Sequence, residues 1–141
     1  MRRDRLPELR QRIEQLARET LAPEDCIPRL ALDADVRLAE CDFELIEWLE
    51  RLSPHGLDNP EPVLCARGLT VTGMGTVGAG KHLRLQVRDA SDSAEAIGFG
   101  MGARAAELTR GGNVDLAFVP TRNEWMGQAR VQLKLKGMRP A

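Results

Sequence analysis

The sequence predicts a mainly β fold, a five-stranded barrel with strand order β-β-β-α-β-β, preceded by N-terminal helices. Three observations predict it. The apolar spacing changes from about four residues to two near Val63. A proline-punctuated corner, Pro54-His55-Gly56-Leu57-Asp58-Asn59-Pro60-Glu61-Pro62, separates the two patterns and suits neither a helix nor a central strand. Beyond the corner, short alternating runs follow one another with glycine and polar turns between them.

Residues 5–21 read as an amphipathic helix, with Leu6, Leu9, Ile13, Leu16 and Leu21 at near-helical spacing. Pro7 fits a first turn, and Pro23 and Pro28 stop the helix. Residues 29–36 alternate and predict a short strand. Asp42 is placed to cap a second helix over 43–52, with Phe43, Ile46, Leu49 and Leu52 on one side. Trp48 is expected to pack against whatever that helix covers. The corner, with Pro54, Gly56, Asn59, Pro60 and Pro62, is expected to mark a domain boundary. That gives a helical and connecting segment at 1–62 and a barrel at 63–141.

The first barrel strand is predicted over 63–77, with Gly73 and Gly75 allowing a bulge or bend. Gly78-Ala79-Gly80 is a turn. Over 81–88, Leu83, Leu85 and Val87 fall on one face and His82, Arg84, Gln86 and Arg88 on the other. A polar turn at 89–93 leads to a third strand, 94–100, carrying Ile97 and Phe99. Residues 102–109 predict a short helix closed by Gly111-Gly112. A fourth strand, 113–121, aligns Val114, Leu116 and Phe118. Residues 122–127 read as a loop. The fifth strand, 128–136, turns Val131, Leu133 and Leu135 inward and Arg130, Gln132, Lys134 and Lys136 outward. This order, with a strongly bent first strand, is that of the OB-fold.

Charge divides along the same line. Residues 1–62 hold 9 Lys/Arg and 15 Asp/Glu, a net of −6, and residues 63–141 hold 11 and 6, a net of +5. A basic barrel is a candidate partner for a polyanion, or simply a soluble surface. No apolar run approaches the ~20 residues that span a bilayer. Met1-Arg2-Arg3-Asp4-Arg5 lacks a signal peptide's apolar core. A cytoplasmic chain without membrane contact is expected. Cys26, Cys41 and Cys65 are widely spaced, with no CxxC, and are expected to be reduced thiols.

Two glycine signatures are set aside. Gly73, Gly75 and Gly78 match G-x-G-x-x-G, and Gly75 to Lys81 matches G-x-x-x-x-G-K. A phosphate cradle needs a helix N-terminus next, yet His82-Leu83-Arg84-Leu85 predicts a strand. The turn is read instead as a flexible loop beside a binding face. In OB-folds the second and third strands and the loops joining strands one to two and four to five form the usual groove. Those elements offer Lys81, His82, Arg84, Arg88, Arg122 and Trp125. The cations would meet phosphates and Trp125 would stack on a base. The alternatives are a solvated outer face and a Trp125 that plugs the barrel end. Catalysis has little support: two histidines, His55 and His82, no G-x-S-x-G, and no metal-ligand spacing beyond Asp33 and Asp35 on an extended segment.

One succession of residues carries a resemblance. It runs through Leu32-Asp33, Trp48-Leu49-Glu50-Arg51-Leu52, Pro54-x-Gly56-x-x-Asn59-Pro60-x-Pro62, Gly78-x-x-x-His82-Leu83-x-Leu85, Ala96-Ile97-Gly98-Phe99, and Asn123-x-Trp125-x-Gly127 before Val131-Gln132-Leu133. From about residue 10 onward the chain resembles the C-terminal part of the RecJ single-stranded-DNA-specific exonucleases. Within it, His55 replaces an aromatic residue and Asp58 a glycine. In that family, metal-dependent DHH and DHHA1 domains do the chemistry and an OB-fold follows. The resemblance therefore implies a DHHA1-side helix, a connecting segment and an OB-fold that holds single-stranded DNA. It implies manganese or magnesium in catalytic domains lying outside this sequence, and no cofactor in these residues. It implies 5′ to 3′ degradation of single-stranded DNA, in repair and recombination, for the complete protein. A second expectation is a bracing or protein-interaction module, with a single-strand-binding protein among its candidate partners.

Overall fold

α1, Leu6–Thr20, forms where the near-helical leucine spacing predicts it. Pro7 occupies its first turn, and Glu8 and Arg18 lie at the ends that favour their charges. Arg10 and Glu14 pair one turn apart at 3.1 Å. A short 3₁₀ turn, Pro23–Cys26, follows. The computed structural model describes residues 5–141; Met1 to Asp4, read above for the absence of a leader, lie outside the described residues. Packing divides the chain into a unit ending at Leu30 and a second unit, Ala31–Ala141. α1 buries none of its side chains.

The second unit begins with residues that composition sets apart from the barrel. β1, Ala34–Asp35, is all that forms of the strand expected at 29–36. It pairs in parallel with Leu64 and Cys65 of β2, Leu64–Val77. Leu38, in a 3₁₀ turn, and Cys41 join the barrel's own core. α2, Phe43–Glu50, is capped as expected, with Asp42 Oδ1 accepting the Leu45 N–H at 2.8 Å. It buries Ile46. The break in packing thus falls at 30/31, not at the proline corner. The acidic surface of 31–62 hides a handful of apolar residues that need the barrel to cover them.

Trp48 does not pack under its helix. It is exposed, and the Arg51 guanidinium lies 4.3 Å over its ring. The corner beyond is a knot of backbone bonds. Gly56 and Asn59 exchange N–H···O bonds, and Asn59 Nδ2 donates to the Leu52 and Pro54 carbonyls at 2.7 and 3.0 Å. Pro54 follows a cis peptide bond. Asp33 closes the segment onto the barrel, its Oδ2 accepting the Val63 N–H at 2.7 Å.

The barrel strands after β2 are β3 His82–Arg88, β4 Ser93–Gly98, β5 Asn113–Trp125 and β6 Gln128–Pro140. Their order around the sheet is β2-β3-β4-β6-β5, closed by a β2–β5 pairing. β4 and β6 run parallel; the other barrel pairs are antiparallel. β2 serves β5 with its first half and β3 with its second, and its register shifts between Ala66 and Leu69 and again between Val71 and Gly73. The second shift is the bend that Gly73 permits. Leu83, Leu85, Val87, Val114, Leu116, Phe118 and Leu133 are fully buried inside.

Further stretches differ from expectation within the barrel. The helix at 102–109 is a 3₁₀ segment, Gly102–Glu107. β4 stops at Gly98, leaving Phe99 exposed in the turn. Residues 122–127 are no loop. β5 and β6 continue to Trp125 and Gln128 and are joined by Met126-Gly127 alone. Both turn residues have positive φ, 50° and 75°, the geometry of a tight twisted hairpin. The glycine turn at 78–80 is also less free than its composition suggests. Gly102 N–H donates to the Lys81 carbonyl at 3.0 Å, and a Cβ on Gly102 would land on the Gly80 carbonyl oxygen.

Candidate nucleic-acid interface

Alternation along β3 and β4 sets the outer face of the barrel. Arg84, Gln86 and Arg88 stand opposite Ile97, Glu95 and Ser93. Beside β4, β6 places Gln132 opposite Glu95. The protruding β5–β6 hairpin raises one wall with Asn123, Trp125 and Arg130. Val77, at the end of β2, reaches the same space. Together these enclose an open groove of about 610 Å³.

Of the six residues predicted to bind, Arg84 and Trp125 line this groove. Trp125 is 73% exposed, so it does not plug the barrel end. His82 and Arg88 share the outer side of β3 with Arg84 but do not line the groove, and Lys81 sits in the turn before them. His82 is engaged locally: its Nδ1 accepts the Gly100 N–H at 3.0 Å, and its ring meets Phe99 edge-on at 5.2 Å. Arg122 points elsewhere. It is one residue from Asn123 on an alternating strand, so it faces α2, where it lies 3.7 Å from Glu47 and 5.0 Å from the Phe43 ring centre.

The residue that sequence reasoning missed is Glu95. Its Oε2 accepts from Arg84 Nε at 2.9 Å and from Gln86 Nε2 at 3.1 Å, and its Oε1 accepts from Gln132 Nε2 at 2.6 Å. One carboxylate on β4 thus gathers polar side chains from the two flanking strands, β3 and β6, on the groove floor. Its signal is present in Ala94-Glu95-Ala96, where alternation turns Glu95 outward beside Gln86.

Ion pairs also thin the cationic surface. From residue 63 onward, Arg67, Arg84, Arg104, Arg122, Lys136 and Arg139 are each paired with a carboxylate. Among the described residues, Lys81, Arg88, Arg110, Arg130 and Lys134 have no such partner. These five are the cations left for a polyanion, and Arg130 is the one that lines the groove.

The donor set does not fit a divalent ion. Among the described residues, no three His, Cys, Asp or Glu side chains come together as metal ligands. Asp33 is spent on Val63, and Asp35 pairs with Arg67 at 3.1 Å. The three cysteines are free thiols, with Cys41 and Cys65 buried. No helix among the described residues is long and apolar enough to cross a membrane.

A family model described as the RecJ OB domain matches residues 32–137. The single-stranded-DNA-specific exonuclease RecJ of Bacillus subtilis (strain 168) is 28% identical over 132 residues, covering 93% of this chain and 17% of that protein. A crystal structure of RecJ in complex with Mn2+, from Thermus thermophilus, superposes with a TM-score of 0.73 at 20% identity, covering 100% of this chain and 20% of that one. A putative aspartyl-tRNA synthetase from Leishmania major Friedlin reaches a TM-score of 0.54 at 12% identity, over 94% of this chain and 26% of that one. At these identities the structural likeness is one of fold. The chain spans about a fifth of the length of the RecJ proteins it matches.

Proposed function

Since this chain belongs to the RecJ OB domain family, we propose that its outer groove holds single-stranded DNA for a nuclease whose catalytic domains lie outside these residues. The complete protein would degrade single-stranded DNA from the 5′ end in repair and recombination. Any manganese or magnesium would be held by those catalytic domains.

The observation that carries this reading is the groove itself. It is open along one side, and Trp125 stands exposed on its hairpin wall beside Arg130. An exposed indole next to a cation suits a base stacked over its sugar-phosphate chain. Duplex DNA offers no free base face to such a wall. With a single tryptophan in the groove and few unpaired cations, affinity should be modest.

The test is fluorescence anisotropy of a labelled single-stranded oligonucleotide, at low and high salt, with a duplex control. Salt-sensitive binding that prefers the single strand is expected. No binding at low salt would overturn the reading.

A bracing or protein-interaction role is the second reading. It is favoured by α1, whose Leu9, Ile13 and Leu16 form an exposed apolar stripe. Such a stripe fits the catalytic part of the same protein or a separate partner, a single-strand-binding protein among them. It predicts self-association of the purified chain by light scattering. A monodisperse monomer would count against it.

A further inference from the structure

Resting on the single-stranded-DNA reading above, we propose that the groove floor distinguishes bases by their exocyclic amino groups, with Glu95 as the residue that sets the preference. Glu95 draws in Arg84 Nε and the side-chain amide nitrogens of Gln86 and Gln132. Each glutamine therefore directs its amide nitrogen to the carboxylate. No hydrogen bond among the described residues engages either glutamine's side-chain oxygen. The floor is left rich in acceptors: the two amide oxygens and the remaining lone pair of Glu95 Oε1.

Such a floor is poorly suited to phosphate. A carboxylate sits at its centre, and the nearest arginine is already neutralised by it. It is well suited to base edges that donate. Cytosine and adenine each carry an amino group, whereas thymine offers a carbonyl oxygen at the matching position. Trp125 would hold a base by its face on the wall, Arg130 would meet the backbone, and the floor would read the edge. Cytosine and adenine are thus accepted and thymine is disfavoured. The register fixes this arrangement, because Gln86 and Gln132 are the direct cross-strand partners of Glu95 on either side.

The experiment compares short labelled homopolymers of deoxycytidine, deoxyadenosine and thymidine by anisotropy. It uses the full chain, its Glu95→Gln variant and its Gln132→Leu variant, with a thermal melt of each as a folding control. The wild type is expected to hold the cytidine and adenosine strands roughly five- to tenfold tighter than thymidine. Glu95→Gln is expected to bring all three within about twofold. It should also raise every affinity and steepen the salt dependence, because Arg84 is released to phosphate. Gln132→Leu removes one acceptor and leaves Arg84 paired, so it should shrink the preference without changing the salt slope. Equal wild-type affinities for the three strands would overturn the base-reading proposal while leaving single-strand binding intact. A preference that survives Glu95→Gln would overturn the role of that residue. Failure of every strand to bind at low salt would remove the single-stranded-DNA reading itself.

Discussion

Asp89 Oδ2 accepts the backbone N–H of Leu38 at 2.8 Å, across 51 residues of sequence. The same carboxylate organises its own turn. Its Oδ1 takes the Ser91 N–H and hydroxyl at 2.6 Å each and the Asp92 N–H at 2.9 Å. Ser91 Oγ in turn accepts the Ala39 N–H at 3.1 Å. The β3–β4 turn and the segment before α2 are thereby fastened to each other.

Asp89→Ala should cost about 1–3 kcal/mol, the range for leaving such donors without a partner. Chemical unfolding checks it. The cost should depend on pH. Burial works against the charged form of Asp89, but the bonds from Leu38, Ser91 and Asp92 outweigh it and hold the carboxyl well below its usual range. Arg139 and the Gly68 N–H do the same for Asp115, and Lys136 for Glu61. On acidification the unfolded chain takes up protons first, near pH ~4. The stabilisation is whole above that range and is lost as pH falls toward the folded values. The wild type should therefore lose stability steeply in acid, and Asp89→Ala should flatten that limb.

Trp125→Ala should weaken single-strand binding by about 1–3 kcal/mol per base no longer stacked. The melting temperature should hardly move, because the ring is exposed. Arg122→Ala makes the opposite test. The side chain faces Glu47 and Phe43, away from the groove, so affinity should stay within about twofold. Its exposed pair should be worth under ~1 kcal/mol of stability. Anisotropy and melting on both variants separate the two sides of β5.

The β5–β6 hairpin can be tested through its turn. Gly127→Val places a branched side chain at a φ of 75° and should cost roughly 1–2 kcal/mol. Met126→Asn places at a φ of 50° a residue that tolerates it, and should be neutral or mildly stabilising. Gly102→Ala should be worse than either, because its Cβ meets the Gly80 carbonyl, part of the backbone of a hydrogen-bonded turn. Thermal melts rank the three.

Thiol chemistry offers a check on packing. Burial first, then the charges of Glu40, Asp42 and Asp89, pushes the Cys41 thiol up to about 11. Burial also raises Cys65. Cys26 is exposed. Alkylation of the native protein near neutral pH should label Cys26 alone, and labelling of all three should require denaturant.

The barrel's strands are legible where one face is wet and the other dry. β3 alternates from His82 to Arg88, and its three apolar residues are fully buried. The pattern fails where that contrast fails. From Arg122 to Arg130 the hairpin projects past the barrel and every residue is exposed, so no apolar alternation marks it as strand. Composition misplaces the packing boundary for a related reason. A few buried residues, Leu38, Cys41 and Ile46, outweigh a surface of carboxylates. Arg84 is legible as a groove residue from its strand position, and Trp125 from its place between the fourth and fifth barrel strands. Arg122 is misread because a loop has no fixed sides, and a strand does. Glu95 escapes notice because a search for cations passes over the carboxylate that arranges them.

The parallel contact between β4 and β6 has a consequence for biosynthesis. Among the described residues, β6 alone bridges β4 and β5, so a ribosome must translate and release β6 before the ring can shut. Until then the emerging polypeptide carries two naked edges, β4 and β5, each with unsatisfied amides and carbonyls ready to zip onto a neighbour. Any condition that delays the docking of β6 would lengthen that exposure and lower the yield of soluble protein.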